Sequence, residues 1–409
     1  MKLNPDKLRL EFPALQQSLR GRSIVYLDNA CTTVPPQSVI QAVSDFYSRF
    51  PGCHARASHF FGRKVTEYYE KTRQKLQLLI NAGDGGQIIL LPNTTTAVNL
   101  VANGIGLKND ECVLCSNIEH NSNLLPWQIH AKKGLLRHRV FELRQDNTFD
   151  MGRFAAAFSP DVRLVSVVHR SNVTGVALPI KQICDFAHER GAIVFVDAAQ
   201  SVPERAVDVM ATGVDLLAFS MHKAYGPSGV GALYARDELL HTMEPLLVGG
   251  EGVEDTTYDR YIPSVAPARF EVGLQNYAGI VGSGVAADFL MQFSVKDIHD
   301  HLQALNALAT QELLKLPGVM ILGPADPALR GSICNFVLDG VDSYDVASLL
   351  DEYSNIMVRP GKSCVHSWFN ATKTPDSVRV SFALYNTLDD VEILVEGIKR
   401  IRKNIGGVK

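Results

Sequence analysis

The 409-residue chain carries 40 lysines and arginines against 43 aspartates and glutamates, for a net charge of −3, and 46% of it is hydrophobic. That length exceeds one small core and predicts two domains, or a large one with an appendage. The near-balanced, interspersed charge gives no reason to expect nucleic acid or a charged membrane surface as the main partner. No run of about eighteen apolar residues marks a membrane span. The start, Met1-Lys2-Leu3-Asn4-Pro5-Asp6, turns polar at once and lacks the apolar core of a signal peptide, so a cytoplasmic protein is expected.

In chain order, residues 85–235 alternate short apolar runs with helical stretches. The runs are 87–91, 111–116, 163–168, 192–196 and 215–220, and 180–190 is an amphipathic helix between two of them. Strands apolar on both faces, alternating with helices, predict an α/β domain around a mostly parallel sheet. Beyond it, 297–316 has a long helical pattern, 320–322, 332–338 and 378–382 read as strands, and 387–404 reads as a closing helix. This change of pattern predicts a smaller α+β domain. The division expected is 20–285 for the large domain, with 1–19 and 286–409 forming the small one.

Seven cysteines stand at 31, 53, 112, 115, 184, 334 and 364. An odd, scattered set in a long chain argues against a disulfide framework. Cys112 and Cys115 have the spacing of half a metal site, but they sit in an apolar strand run and no second pair completes four ligands. No metal is expected.

In open α/β sheets, ligands bind beyond the carboxyl ends of the strands. Five such ends carry polar clusters here. They are Asn93-Thr94-Thr95-Thr96 before a helical pattern, Ile118-Glu119-His120-Asn121, and His169-Arg170-Ser171-Asn172-Val173-Thr174-Gly175. The others are Asp197-Ala198-Ala199-Gln200 and Ser220-Met221-His222-Lys223. Singly, each has a plain reading as a helix cap or a structural polar group. Together they bring hydroxyls at a helix start, an imidazole, an amide, a carboxylate and an amine to one crevice. Pyridoxal 5′-phosphate (PLP) needs that inventory: a lysine for a Schiff base, a carboxylate facing the pyridine nitrogen, and an anion cradle for the phosphate.

At these residues the sequence resembles the class V aminotransferase family and, within it, the type II (SUF-type) cysteine desulfurases. The resemblance runs from Tyr26-Leu27-Asp28-Asn29-Ala30 to Tyr385-Asn386-Thr387. It is most specific in Ser220-x-His222-Lys223-x-Tyr225-Gly226-Pro227-x-Gly229-x-Gly231. It implies fold type I of the PLP-dependent transferases, with a seven-stranded, mostly parallel sheet. It implies Lys223 as the lysine that carries PLP, Asp197 as partner of the pyridine nitrogen, and Gln200 as donor to the ring hydroxyl. His120 resembles the histidine that stacks on the ring, and Thr94, Thr95, Ser220 and His222 the phosphate ligands. Asn172 resembles a residue near both the ring hydroxyl and the substrate carboxylate.

Arg359-Pro360-Gly361-Lys362-Ser363-Cys364 resembles the Arg-x-Gly-x-x-Cys signature of type II desulfurases. Cys364 is thus the expected sulfur nucleophile on a compact loop, with Arg359 and Lys362 near enough to favour its thiolate. Arg379 alternates with Val378, Val380 and Phe382 on a short strand and needs an anion or solvent. The matching family arginine clamps the substrate α-carboxylate, and Ala30 is expected to line the same site. The implied reaction converts L-cysteine to alanine with sulfur held on Cys364 for an acceptor protein or reductant; the alternatives are a selenocysteine lyase, another class V PLP lyase or epimerase, or a non-catalytic scaffold that keeps the fold. Its sulfur would serve iron–sulfur cluster assembly or other sulfur metabolism, and a homodimer is implied. Departures from the family pattern are Leu274, where a threonine usually reaches a phosphate across the dimer, and Glu204 in place of a histidine. Cys53-His54-Ala55-Arg56 is a further departure, only loosely following the family's His-Arg-Gly segment.

Overall fold

The computed structural model describes residues 3–406. Met1 and Lys2 of the polar start, and residues 407–409 of the expected C-terminal domain, lie outside the described residues. After a one-turn helix at Pro5–Arg9, the first long helices are α1 (Gln37–Arg49) and α2 (Phe60–Leu79). Then strands and helices alternate: β1 (Gly86–Leu91), α3 (Thr94–Gly104), β2 (Cys112–Ser116), α4 (Asn121–Lys132), β3 (Arg137–Phe141) and β4 (Val162–Val168). The series continues with α5 (Ile180–His188), β5 (Ile193–Asp197), β6 (Leu216–Ser220) and β7 (Gly231–Arg236).

These seven strands form one sheet in the order β1-β7-β6-β5-β4-β2-β3. β7 runs antiparallel to β1 and β6, and the other pairings are parallel. The five apolar runs expected as strands are strands β1, β2, β4, β5 and β6. Two strands carried no clear signal. β3 has the polar sequence Arg137-His138-Arg139-Val140-Phe141 and stands at the sheet edge, where half of it meets solvent. β7 begins at Gly231, directly after a glycine- and proline-containing turn that masks its start.

The hydrophobic pattern decides how helices seat. In α5, Ile180, Ile183, Cys184 and Ala187 recur at the spacing of one helical face, and all four are buried. Cys112 and Cys115, three residues apart on β2, face opposite sides of the sheet and are both buried, each in a different apolar cluster.

The chain then passes through α6 (Tyr277–Met291) and α7 (Val295–Leu313) to a second sheet. α6 is buried along nearly its whole length and packs on α1 and α2. A Cβ at Gly284 would stand 2.4 Å from Thr72 Oγ1, so glycine sets that approach. The second sheet comprises β8 (Val319–Ile321), β9 (Ile333–Leu338), β10 (Arg359–Gly361) and β11 (Ser377–Ser381), all antiparallel in the order β8-β9-β11-β10. Helix α8 (Ser343–Ser354) packs on β10 and β11, and α9 (Leu388–Gly406) packs on α8 and α7.

The N-terminal segment attaches to the second sheet. Val25 and Tyr26 pair with Ile356 and Met357, and Asp28 bridges to Ser381. Phe12, fully buried, packs its ring 4.6 Å from Tyr385, 5.8 Å from Phe289 and 6.1 Å from Tyr225. Arg9 pairs with Asp390 at 3.0 Å. Among the described residues, no single helix is long and apolar enough to cross a membrane.

Candidate active site

A cavity of about 360 Å³ opens where the carboxyl ends of β1, β4, β5 and β6 meet β10 and β11. Every residue expected from the sequence to serve the site lines it: Ala30, Thr94, Thr95, His120, Asn172, Asp197, Gln200, Ser220, His222, Lys223, Arg359, Cys364 and Arg379. Asn93 and Arg170, from the polar strand-end clusters, also line it, together with Cys31, Ser122 and Ser363, to which the sequence gave no role at the site. Cys31 adjoins Ala30, so the 26–30 motif was the available signal for it.

Asp197 ends β5 and is buried, with Oδ1 accepting the Ala199 N–H at 3.0 Å. Lys223 ends the short turn that follows β6. Burial drives the Lys223 ammonium below its ordinary range, and the Asp197 charge opposes this. Burial likewise raises the Asp197 carboxyl, with Lys223 opposing. Each group therefore needs a partner for its charged form, and each is the other's.

His120 caps α4, its Nδ1 accepting the Ser122 N–H at 3.1 Å. Burial first, then the positive Lys223 and Arg379, lower its pKa to about 3. The ring is therefore neutral, with its proton on Nε2. Behind it Glu119 is fully enclosed. It accepts from Asn123 Nδ2 at 2.6 Å and Val168 N at 2.9 Å, and also bonds Ser116 Oγ.

At one end of the cavity α3 begins. The Asn93 side chain caps it by accepting the Thr96 N–H at 2.9 Å. Thr94 N donates to Ser220 Oγ at 2.8 Å, Thr94 Oγ1 lies 2.7 Å from the same oxygen, and Thr95 Oγ1 lies 2.8 Å from Ser122 Oγ. This approach requires a glycine on β7, because a Cβ at Gly231 would sit 2.7 Å from Asn93 Cα. The start of α3 and the clustered hydroxyls, with His222 beside them, make an anion-binding end.

The opposite end is cationic. Arg379 Nη2 lies 3.1 Å from Asp28 Oδ1, and Arg359 Nη2 lies 2.6 Å from Asp28 Oδ2. Arg359 also donates to Cys31 Sγ at 2.9 Å. Arg379 is buried, yet its Nε has no hydrogen-bond partner. The anion required by an arginine on a buried strand is thus Asp28, which leaves part of the guanidinium free.

The loop after β10 carries Cys364, which is exposed. Gly361, Ser363 and Cys364 all have positive φ, at 91°, 45° and 58°. For the latter two the left-handed conformation is unfavourable unless the surroundings hold it. Two bonds do so: Asn172 Nδ2 donates to Ser363 O at 2.7 Å, and Asn121 N donates to Cys364 O at 2.8 Å. The cations expected beside the thiol are engaged elsewhere, Lys362 with Asn370 Oδ1 at 2.9 Å and Arg359 with Asp28 and Cys31.

The departures also find places. Glu204 is buried, receives Ser332 N at 3.2 Å and Ser332 Oγ at 2.6 Å, and pairs with Arg170 Nε at 3.2 Å. A carboxylate is therefore satisfied where the family pattern has a ring. His54 stacks on Tyr69 with ring centroids 4.1 Å apart and bonds Glu70 at 3.2 Å. Leu274 is 77% exposed.

The Aminotransferase class-V family model matches residues 25–394. A cysteine desulfurase of Klebsiella pneumoniae is 36% identical over 415 residues, spanning 99% of this chain and 100% of the relative. One from Serratia proteamaculans is 36% identical over 410 residues, spanning 98% and 99%. Among solved structures, the apo cysteine desulfurase from Thermococcus onnurineus matches with a TM-score of 0.93 at 31% identity, covering 99% of each chain. A cysteine desulfurase from Escherichia coli, in an S-sulfonic acid form, matches with a TM-score of 0.89 at 32% identity, covering 98% of each. With its family pattern filled across nearly the whole length and its polar strand ends gathered at one cavity, the chain belongs to the class-V aminotransferase family.

Proposed function

We propose that this protein is a PLP-dependent cysteine desulfurase that removes sulfur from L-cysteine and holds it on Cys364. The observation that carries this reading is one cavity with the Lys223 amine and Asp197 carboxylate at its base and the Cys364 thiol at its mouth. The donor set fits PLP. Thr94, Thr95, Ser220 and His222 suit its phosphate, Gln200 and Asn172 its ring hydroxyl, His120 its ring face, and Asp197 its pyridine nitrogen. The orphaned Nε of buried Arg379 suits the carboxylate of an amino acid.

When bound, PLP supplies an electron sink for a carbanion beside an amino group. Lys223 Nζ would hold the cofactor, and as a free amine it would take the proton from the substrate Cα. Burial favours its neutral, basic form. Arg379 orients the substrate by its carboxylate, with Asp28 yielding one guanidinium edge. Cys364 Sγ, as thiolate, attacks the substrate sulfur. A bond between the two sulfurs forms, the substrate Cβ–S bond breaks with its electron pair left on carbon, and protonation completes alanine. The exposed position of Cys364 lets an acceptor protein or a small reductant collect the sulfur. The protein acts as a homodimer in this reading.

The test is alanine and sulfide formation from L-cysteine with a thiol reductant present. The wild type should form both, and Cys364→Ala should form neither at an appreciable rate. Cys364→Ala retaining full activity on cysteine would remove the nucleophile from the scheme. Activity confined to selenocysteine would change the substrate.

A further inference from the structure

The cavity holds two free thiols, and the proposed reaction uses one. Cys364 is exposed at the mouth, and Cys31 is half-buried in the opposite wall. Both residues line the same cavity as Lys223. Cys31 is fixed rather than loose. Its N–H donates to Asp28 O at 3.1 Å, and its Sγ receives a hydrogen bond from Arg359 at 2.9 Å. Arg359 starts the segment that ends in Cys364, so one guanidinium ties the second thiol to the nucleophile's own loop. The side facing the cavity between them also holds Arg379, buried and with Nε unpartnered, and Ser363, whose buried Oγ has no partner either. These donors can stabilise a sulfur anion moving across the gap.

We propose that Cys31 is a second sulfur carrier, receiving the sulfur first captured by Cys364. This rests on the desulfurase reading. The Cys31 thiolate attacks the outer sulfur of the Cys364 persulfide. A sulfur–sulfur bond forms at Cys31, the bond between Cys364 Sγ and that outer sulfur breaks, and Cys364 leaves as a thiolate. The proton on the outer sulfur travels with it. Sulfur stays at the same oxidation level, and no oxidant or reductant is consumed. Cys364 is then free to attack a second substrate, and one protomer stores two sulfurs before any acceptor arrives.

The experiment uses reduced, desalted, PLP-loaded protein mixed with excess L-cysteine without reductant. It counts alanine per protomer in the first burst and maps persulfides by alkylation and peptide mass. Wild type should release about two alanines per protomer and carry persulfide on both Cys31 and Cys364, whereas Cys31→Ser should release about one and carry it on Cys364 alone. Cys31→Ala serves as a second variant should the serine perturb folding, and the wild-type map stands independently of either. A wild-type burst of one with Cys31 unmodified overturns the proposal, as does a second sulfur located on exposed Cys53. A disulfide between Cys31 and Cys364 with released sulfide also overturns it, since the attack would then fall on the inner sulfur. Absence of alanine from every protein overturns the desulfurase reading and the relay with it.

Discussion

Asp28 and Arg379 form a buried ion pair at 3.1 Å, made between a residue near the start of the chain and one near its end. The same carboxylate receives Arg359 through its other oxygen at 2.6 Å. Asp28 therefore offsets one of the two positive charges at this end of the cavity. Removing one partner of a buried pair leaves the other charge unsolvated, at a cost of about 3–5 kcal/mol. Asp28→Ala should lower the thermal midpoint markedly, and a small carboxylate such as acetate should restore part of the loss by pairing with Arg379. A midpoint insensitive to both the substitution and the anion would contradict this account.

Lys223 carries two duties in the proposed reaction, tethering the cofactor and moving the α-proton. Lys223→Ala should abolish the absorbance band near the visible edge that PLP bound to the lysine confers. Because a positioned general base contributes about 10²–10⁴-fold, alanine formation should fall by at least that factor. Absorption spectra of the two proteins, recorded after identical PLP loading and desalting, check the first point. A colourless wild type after loading would remove the cofactor assignment.

Glu119 gives the stability a pH dependence. Burial raises its carboxyl from an ordinary 4.5 to about 8, against the opposing hydrogen bonds from Ser116, Asn123 and Val168. The folded state thus binds the proton more tightly than the unfolded state. Its stabilising contribution is full below about 4.5 and is lost as pH rises through about 8. The expected slope within that window is a loss of at most about 1.4 kcal/mol per pH unit from this group. Denaturant midpoints measured across the window should fall with pH more steeply in the wild type than in Glu119→Gln. Equal slopes would mean that Glu119 is ionised in the fold.

Phe12 is the clasp of the N-terminal segment, wedged among Tyr225, Phe289 and Tyr385. Phe12→Ala should cost about 3–5 kcal/mol, the range for emptying a fully buried ring site. Since Tyr225 lies two residues beyond Lys223, the same variant should also hold PLP less tightly. Titration of apo protein with PLP measures that. An unchanged affinity would confine Phe12 to stability.

The strand ends were legible because each signal is local. A run of apolar residues closing on Asp197 or on Ser220-Met221-His222-Lys223 displays both its strand and its polar tip within a few residues. What the sequence kept hidden depends on pairings between distant segments. Nothing near Asp28 shows that its partner is Arg379, and nothing near Cys31 shows Arg359 against its sulfur. The reading of Lys362 and Arg359 as helpers of Cys364 used nearness along the chain, whereas the fold assigns them to Asn370 and Asp28. β3 escaped notice for the converse reason: an edge strand can be polar, so its composition resembles a loop.

The bridge between Asp28 and Ser381 has a consequence for biosynthesis. The cavity wall is contributed by segments from residue 30 to residue 379, and the cationic end exists only after β11 has been made. A chain still on the ribosome with β11 inside the exit tunnel has Lys223, Thr94 and Ser220, but lacks the arginines and Cys364 in place. Capture of PLP by such a chain would precede any ability to bind cysteine productively. In the proposed scheme the order of synthesis would let the cofactor arrive first and would withhold sulfur chemistry until β11 has emerged.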